Sequence, residues 1–484
     1  MEQIELKPRE VFDFFSQINK VPRPSKHEEK MIDFLCDFAN KYKLECKTDE
    51  AGNVLISKPA TKGHENKATV ILQAHMDMVC EKATDTVIDF MKDPIQTYID
   101  GEWLRAKGTT LGADDGIGVA ICMALLASET IEHGPIQCLF TRDEETGLTG
   151  AFAIQPGFMD GKYLINLDSE DEGEIFVGCA GGAGTTAKFH YTTVPVPEDY
   201  FTIRINIDKL KGGHSGDDIN KRRANANKLL ARFLFSAIHK YDLYLLDIKG
   251  GNLHNAIPRD ASALIAIPAK DKESIRIDFN MFAAEIEDEF HKTETSVTFN
   301  MQSEDTKLDA IERNTALRIV SSLQAVHNGV LEMNQDIDGL VETSSNLASI
   351  RMADGVVTVV TSQRSSTLSS RENMCATIRA TFSLAGAEVE TGEGYPGWKP
   401  NPESEILKVA VSTYHKLFGK EPKVKAIHAG LECGLFSEKY PGLDMISFGP
   451  TLRGVHSPDE ALLIPTVDMV WRHILEILQN IPVK

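Results

Sequence analysis

Three apolar runs in this chain of 484 residues end the same way, in a group that can bind a cation or move a proton. Val70-Ile-Leu-Gln-Ala-His75-Met-Asp77 is a strand-like run closing on His-x-Asp, Ile136–Thr141 runs into Asp143-Glu144-Glu145-Thr-Gly147, and Tyr163–Leu167 runs into Asp168-Ser-Glu170. Residues i and i+2 of an extended chain point the same way, so His75 and Asp77 leave their strand together. Between the first two runs lies Gly116–Ser128, apolar enough for a buried helix. Strands alternating with helices predict an α/β domain with a mixed, mostly parallel sheet, and such sheets bind ligands at the carboxyl ends of their strands.

Each segment alone has an ordinary explanation. His75 could be a loop histidine, Asp114-Asp115 ahead of the buried helix could be an N-cap, and three successive acids could be a solvated loop. Together with His456, in the loop after the apolar segment Met445–Phe448, they form a set of imidazoles and carboxylates, the donors a divalent cation of borderline hardness takes when no thiolates are offered. Three carboxylates (Asp114, Glu145, Asp168) and a hydroxide balance the charge of two such ions. Without cations, carboxylates so close would repel one another or hold protons.

Composition narrows the classes. A formal net charge of −20 opposes a general nucleic-acid binder. Hydrophobic content of 42% and charged content of 25% are those of a globular chain. No apolar stretch approaches the ~20 residues that cross a bilayer, and the N-terminal residues lack the basic and apolar regions of a secretory signal. The eight cysteines form no Cys-x-x-Cys pair, as in a reduced cytoplasmic protein. Near the N-terminus, Val11, Phe14, Phe15 and Ile18 predict one helix, and Ser25 with Glu28 predicts a capping box opening a second.

The ordered set His75-x-Asp77, Gly112-Ala-Asp114-Asp115-Gly, Asp143-Glu144-Glu145-Thr-Gly147, Leu167-Asp168-Ser-Glu170 and Val455-His456-Ser-Pro resembles the M20 family of zinc metallopeptidases. Gly212-Gly-His214-Ser-Gly216, Gly251-Asn-Leu-His-Asn255-Ala-Ile-Pro258, Gln363-Arg364-Ser-Ser and Gly430-Leu-Glu432-Cys-Gly434 extend the resemblance to the aminoacyl-histidine (Xaa-His) dipeptidase branch. It implies a zinc-exopeptidase-like catalytic domain from residues 1–185 and 389–484, and an inserted α+β lid domain, 186–388, with room for two ferredoxin-like halves in tandem.

The roles follow residue by residue from that resemblance. His75 and Asp168 hold one Zn2+, Glu145 and His456 a second, and Asp114 bridges them, with Co2+ or Mn2+ as possible substitutes. Asp77 orients His75. Glu144 is the general base toward a metal-bridging hydroxide; from the residues alone Glu144 and Glu145 could be exchanged. His214 stabilises the oxyanion when the domains close, in its own chain or across a dimer, while Asn255 and Arg364 bind the substrate. Asp115 stands where relatives often carry Asn and is not expected to be a ligand. His428 is left without a role. The implied reaction is dipeptide hydrolysis, Xaa-His and β-alanyl-histidine (carnosine) included, by a monomer or homodimer with no nucleic-acid or membrane partner. A tripeptidase, an aminoacylase or another N-acyl amino-acid hydrolase would use the same metal core, and a binding protein that had lost catalysis would lack a ligand or the base.

Overall fold

The computed structural model describes every residue except 1–3, 307, 336 and 402, so the N-terminal signal reading lies partly outside the described residues. The chain divides into two compact units. One comprises Met1–Gly178, Trp398–Ala426 and Leu431–Lys484, the other Cys179–Gly397 and Ile427–Gly430.

The first unit is built on an eight-stranded mixed sheet. Its centre is four parallel strands in the spatial order Ile136–Thr141, Val70–His75, Tyr163–Asn166 and Asp444–Ser447. Residues 70–75 and 136–141 are buried on both faces, which is why these strands read as continuous apolar runs instead of alternating ones. The helix Ala113–Ala127 is buried almost throughout. The strands therefore deliver Thr141, His75, Asn166 and Ser447 to one edge of the sheet, with the acidic motifs in the loops that follow.

The helix predicted after Ser25 spans Glu29–Tyr42, but the capping box does not form: its N-cap residue, Glu28, makes no side-chain cap bond. Ser25 Oγ instead donates to Asp77 Oδ2 at 2.7 Å, and the Glu28 carboxylate accepts the amides of Lys26 (2.7 Å) and Asp143 (3.1 Å) and pairs with Arg142 at 2.7 Å. A buried carboxylate gains more from such charge-assisted bonds than a solvated cap would give.

In the second unit a strand–helix–strand–strand–helix–strand succession occurs twice within a nine-stranded sheet. One half is Tyr200–Asp208, Ala226–Lys240, Tyr244–Gly250, Ala261–Pro268, Lys272–Glu289 and Thr298–Ser303; the other is Gly181–His190, Arg313–Ala325, Val341–Ala353, Val356–Ser365, Leu368–Leu384 and Glu388–Thr391. They meet in antiparallel pairing at Gly250 and Ile350. The halves are nested, not in tandem, because the first occupies the connection between the opening strand and first helix of the second. No helix among the described residues is long and apolar enough to cross a membrane.

Candidate functional site

In the first unit the strand ends converge on one carboxylate. Asp114 Oδ1 lies 3.0 Å from His75 Nε2, and Asp114 Oδ2 lies 3.1 Å from His456 Nε2. Asp168 Oδ1 is 3.5 Å from the same nitrogen of His75, and Glu145 Oε2 is 2.9 Å from that of His456. Ligand atoms of His75, Asp114 and Glu145 all lie within 4.8 Å of one another. The structure thus gathers all five residues read from the sequence as metal ligands.

Asp77 joins two of the motifs. One oxygen sits 3.3 Å from His75 Nδ1, and its carboxylate accepts the amides of Glu144 (3.0 Å) and Glu145 (3.3 Å). The three consecutive acids then diverge. Asp143, buried, takes hydroxyl bonds from Thr146 and Thr149. Glu145 faces His456, while among the described residues no hydrogen bond or ion pair engages the Glu144 carboxyl. Asp115 is buried and accepts the Gly118 amide at 3.1 Å, a helix-start role.

The electrostatics show what the cluster lacks. Burial opposes a charged His75, yet Asp168, Asp114 and Asp77 hold its pKa well above the usual range. Hydrogen bonds to Asp114 and Glu145 push His456 up to about 11. Burial pushes Asp168 up to about 7 against the pull of His75. Burial, then the negative charge of Asp168, Glu145 and Glu432, holds Glu144 well above the carboxylate range. A group of carboxylates that draws protons onto its imidazoles is short of positive charge. Two imidazole nitrogens with several carboxylate oxygens are a donor set that divalent cations such as zinc accept.

Two further acids were not assigned a role from the sequence. Glu460, four residues beyond His456, accepts the amides of Leu111 (2.7 Å), Gly112 (3.0 Å) and Ala113 (2.8 Å), and so fixes the loop carrying Asp114. Arg23, fully buried, donates to the carbonyl oxygens of Asp77 (2.8 Å) and Gly112 (2.5 Å) from beneath. Glu432, buried, accepts from Gln73 Nε2 (2.6 Å) and Thr141 Oγ1 (2.7 Å), and Gln73 Oε1 accepts from Asn166 Nδ2 at 2.6 Å. Gln73 and Asn166 each sit two residues before a candidate ligand, so a polar row underlies the ligand row on the same face. The signal was partly present: Glu432 lies inside a motif already noted and Glu460 two residues beyond another, but their buried partners are distant in sequence.

The second unit collects the remaining residues. The short strand Gly213–His214 pairs with Ala256–Ile257, next to Asn255, whose carbonyl accepts the Ser215 amide at 2.8 Å. Gly213 has φ +143°, and a Cβ there would lie 2.0 Å from Arg223 Nη1, so the turn presenting His214 requires glycine. His214 Nδ1 lies 3.2 Å from the Asp217 amide and 3.4 Å from Asp217 Oδ2, and its Nε2 lies 3.4 Å from Arg364 Nη2. Arg364 is 6% exposed, its Nε has no partner, and among the described residues no carboxylate lies within ion-pair distance. His428 is buried with Nε2 2.7 Å from Ser344 Oγ, and burial together with the Arg364 charge lowers its pKa to about 3, keeping it neutral.

These features agree with comparisons to known proteins. Residues 71–480 match the model of peptidase family M20/M25/M40. The chain is 43% identical to the cytosol non-specific dipeptidase of Escherichia coli K12 over 486 aligned residues, covering 100% of both chains. It superposes on the crystal structure of an aminoacylhistidine dipeptidase from Vibrio alginolyticus with a TM-score of 0.89 and 44% identity, covering 99% of this chain and 98% of that one. The aminopeptidase PepT of Bacillus cereus, at 16% identity and a TM-score of 0.57 over 98% of this chain and 99% of that one, shares the fold. The chain belongs to peptidase family M20/M25/M40 and is a hydrolase of peptide bonds.

Proposed function

We propose that this protein is a cytoplasmic dinuclear zinc dipeptidase that cleaves unblocked dipeptides, Xaa-His substrates such as β-alanyl-histidine among them. The observation that carries this reading is the Asp114 carboxylate, with one oxygen toward His75 and the other toward His456. The names of the Escherichia coli and Vibrio relatives support dipeptides as the substrate class. The cytoplasmic placement draws on the former name and on eight cysteines of which none forms a disulfide.

In this reading His75 and Asp168 would hold one ion, Glu145 and His456 the other, and Asp114 would serve both. Two divalent ions so placed would supply an activated water and a polarised carbonyl. Glu144, with its carboxyl unengaged and its pKa raised, takes a proton from the attacking water and delivers it to the leaving amine. Asp77 keeps the His75 ring oriented. His214 offers its Nε2 proton to the developing oxyanion, Asn255 binds the substrate backbone, and Arg364, buried without a carboxylate partner, binds the C-terminal carboxylate. In the same reading the second unit serves as the lid domain that the family resemblance implies.

The test is a panel of dipeptides, tripeptides and N-acetyl amino acids assayed with the zinc-loaded enzyme. Dipeptides should be cleaved best, with Xaa-His among the good substrates. Preference for N-acetyl amino acids would overturn the assignment in favour of an acylase.

A further inference from the structure

The glycine-rich segment 391–400 has no part in the chemistry above, yet it sends one side chain to Arg364. Tyr395 Oη accepts from Arg364 Nη1 at 2.9 Å. Gly182 lies between them in the sheet: it is the register partner of Arg364, and it exchanges backbone bonds with Tyr395, Gly182 N–H to Tyr395 O at 3.0 Å and Tyr395 N–H to Gly182 O at 2.8 Å. The tyrosine ring lies across this glycine. A Cβ on Gly182 would stand 2.7 Å from Cζ and Oη of the ring, and one on Gly430 would stand 2.7 Å from its Cε2. Arg371 also donates to the Tyr395 carbonyl. Three separate parts of the sequence, at 182, 395 and 430, therefore combine to hold one hydroxyl against one guanidinium.

We propose that Tyr395 is a positioning residue for substrate binding, whose hydroxyl aims the Arg364 guanidinium at the C-terminal carboxylate of the peptide. The proposal rests on the reading of Arg364 given above. The chemistry favours a phenol in this place. A carboxylate partner would orient the guanidinium equally well but neutralise it, and an incoming carboxylate would then have to displace it. A neutral hydroxyl fixes the planar fork and leaves its charge available. Burial raises the Tyr395 pKa, outweighing the pull of Arg364, so the hydroxyl keeps its proton. With Nη1 held by Tyr395, the unpartnered Nε and the Nη2 beside His214 are left to meet the ligand.

The experiment compares Tyr395→Phe with the wild type in the full-length, zinc-loaded enzyme, using a dipeptide and its C-terminal amide. The variant should lose about tenfold in kcat/KM on the free dipeptide, mainly through KM, as expected for one lost hydrogen bond to a charged group. It should stay within about twofold of wild type on the amide, with metal content and melting temperature unchanged. An equal penalty on both substrates, or none on either, would overturn the proposal. Arg364→Ala is measured in parallel and should abolish the preference for the free carboxylate. If that preference survives in Arg364→Ala, the assignment of Arg364 itself falls, and the role of Tyr395 with it. If Arg364→Ala loses it and Tyr395→Phe does not weaken it, only the role of Tyr395 falls.

Discussion

His456 Nε2 lies 3.1 Å from Asp114 Oδ2 although the two residues are 342 positions apart in the chain. The other Asp114 oxygen faces His75, so one carboxylate is common to both halves of the centre. Removing it should cost more than removing either histidine. On the proposed assignment, Asp114→Ala should lose metal at both positions, whereas His456→Ala should keep the ion assigned to His75 and Asp168. Metal content by plasma mass spectrometry on dialysed protein checks this. Full zinc occupancy in Asp114→Ala would contradict the shared-ligand arrangement.

Glu144 and Glu145 are adjacent and chemically identical, but only Glu145 is paired with His456. Glu144→Gln should therefore bind metal normally and lose about 10²–10⁴-fold in kcat, the range for a lost general base. Glu145→Gln should lose metal first. Parallel measurement of metal content and turnover separates the two, and near-normal turnover in Glu144→Gln would exclude it as the base.

Glu460 is the acceptor for the buried amides of Leu111, Gly112 and Ala113. Glu460→Ala leaves those groups without a partner, at about 1–3 kcal/mol for each that water does not reach. Urea unfolding of metal-free protein should show the loss. A change under about 0.5 kcal/mol, the range of a neutral surface substitution, would mean that the amides find other acceptors.

Burial pushes Glu432 up to about 8 from its ordinary 4.5, against the pull of His75 and the Thr141 hydrogen bond. Between those values the folded protein keeps a proton that the unfolded chain has released. Stability from this group is therefore full below about pH 4.5, falls as pH rises by at most about 1.4 kcal/mol per unit, and stops falling above about 8. Glu432→Gln removes the dependence. Urea midpoints of the metal-free proteins at about pH 5 and about pH 8 should shift in favour of the variant as pH rises. A difference independent of pH would show that Glu432 is ionised in the fold.

Much of the site could be read locally. An apolar run followed by His or Asp is a statement about a few neighbouring residues, and strand periodicity alone places His75 and Asp77 on one side. The expected strand Ile136–Thr141 and the buried helix after Asp115 form where the pattern puts them, because continuous apolar runs have nowhere to go but between layers. Ser25 and Glu28 show the limit: their spacing is that of a capping box, and the fold takes both for Asp77 and Asp143 instead.

What the amino-acid order determined by itself was therefore the kind of chemistry: which strands form, and that they end in imidazoles and carboxylates. What only the tertiary structure decided was the pairing. It set which oxygen of Asp114 faces which histidine, left Glu144 free beside a paired Glu145, placed Glu460 under the Asp114 loop and brought Tyr395 across Gly182 to Arg364. Local pattern depends on interactions a few residues long. These pairings close loops of tens to hundreds of residues, and they hold because burial leaves a polar group no alternative to the partner the fold brings to it.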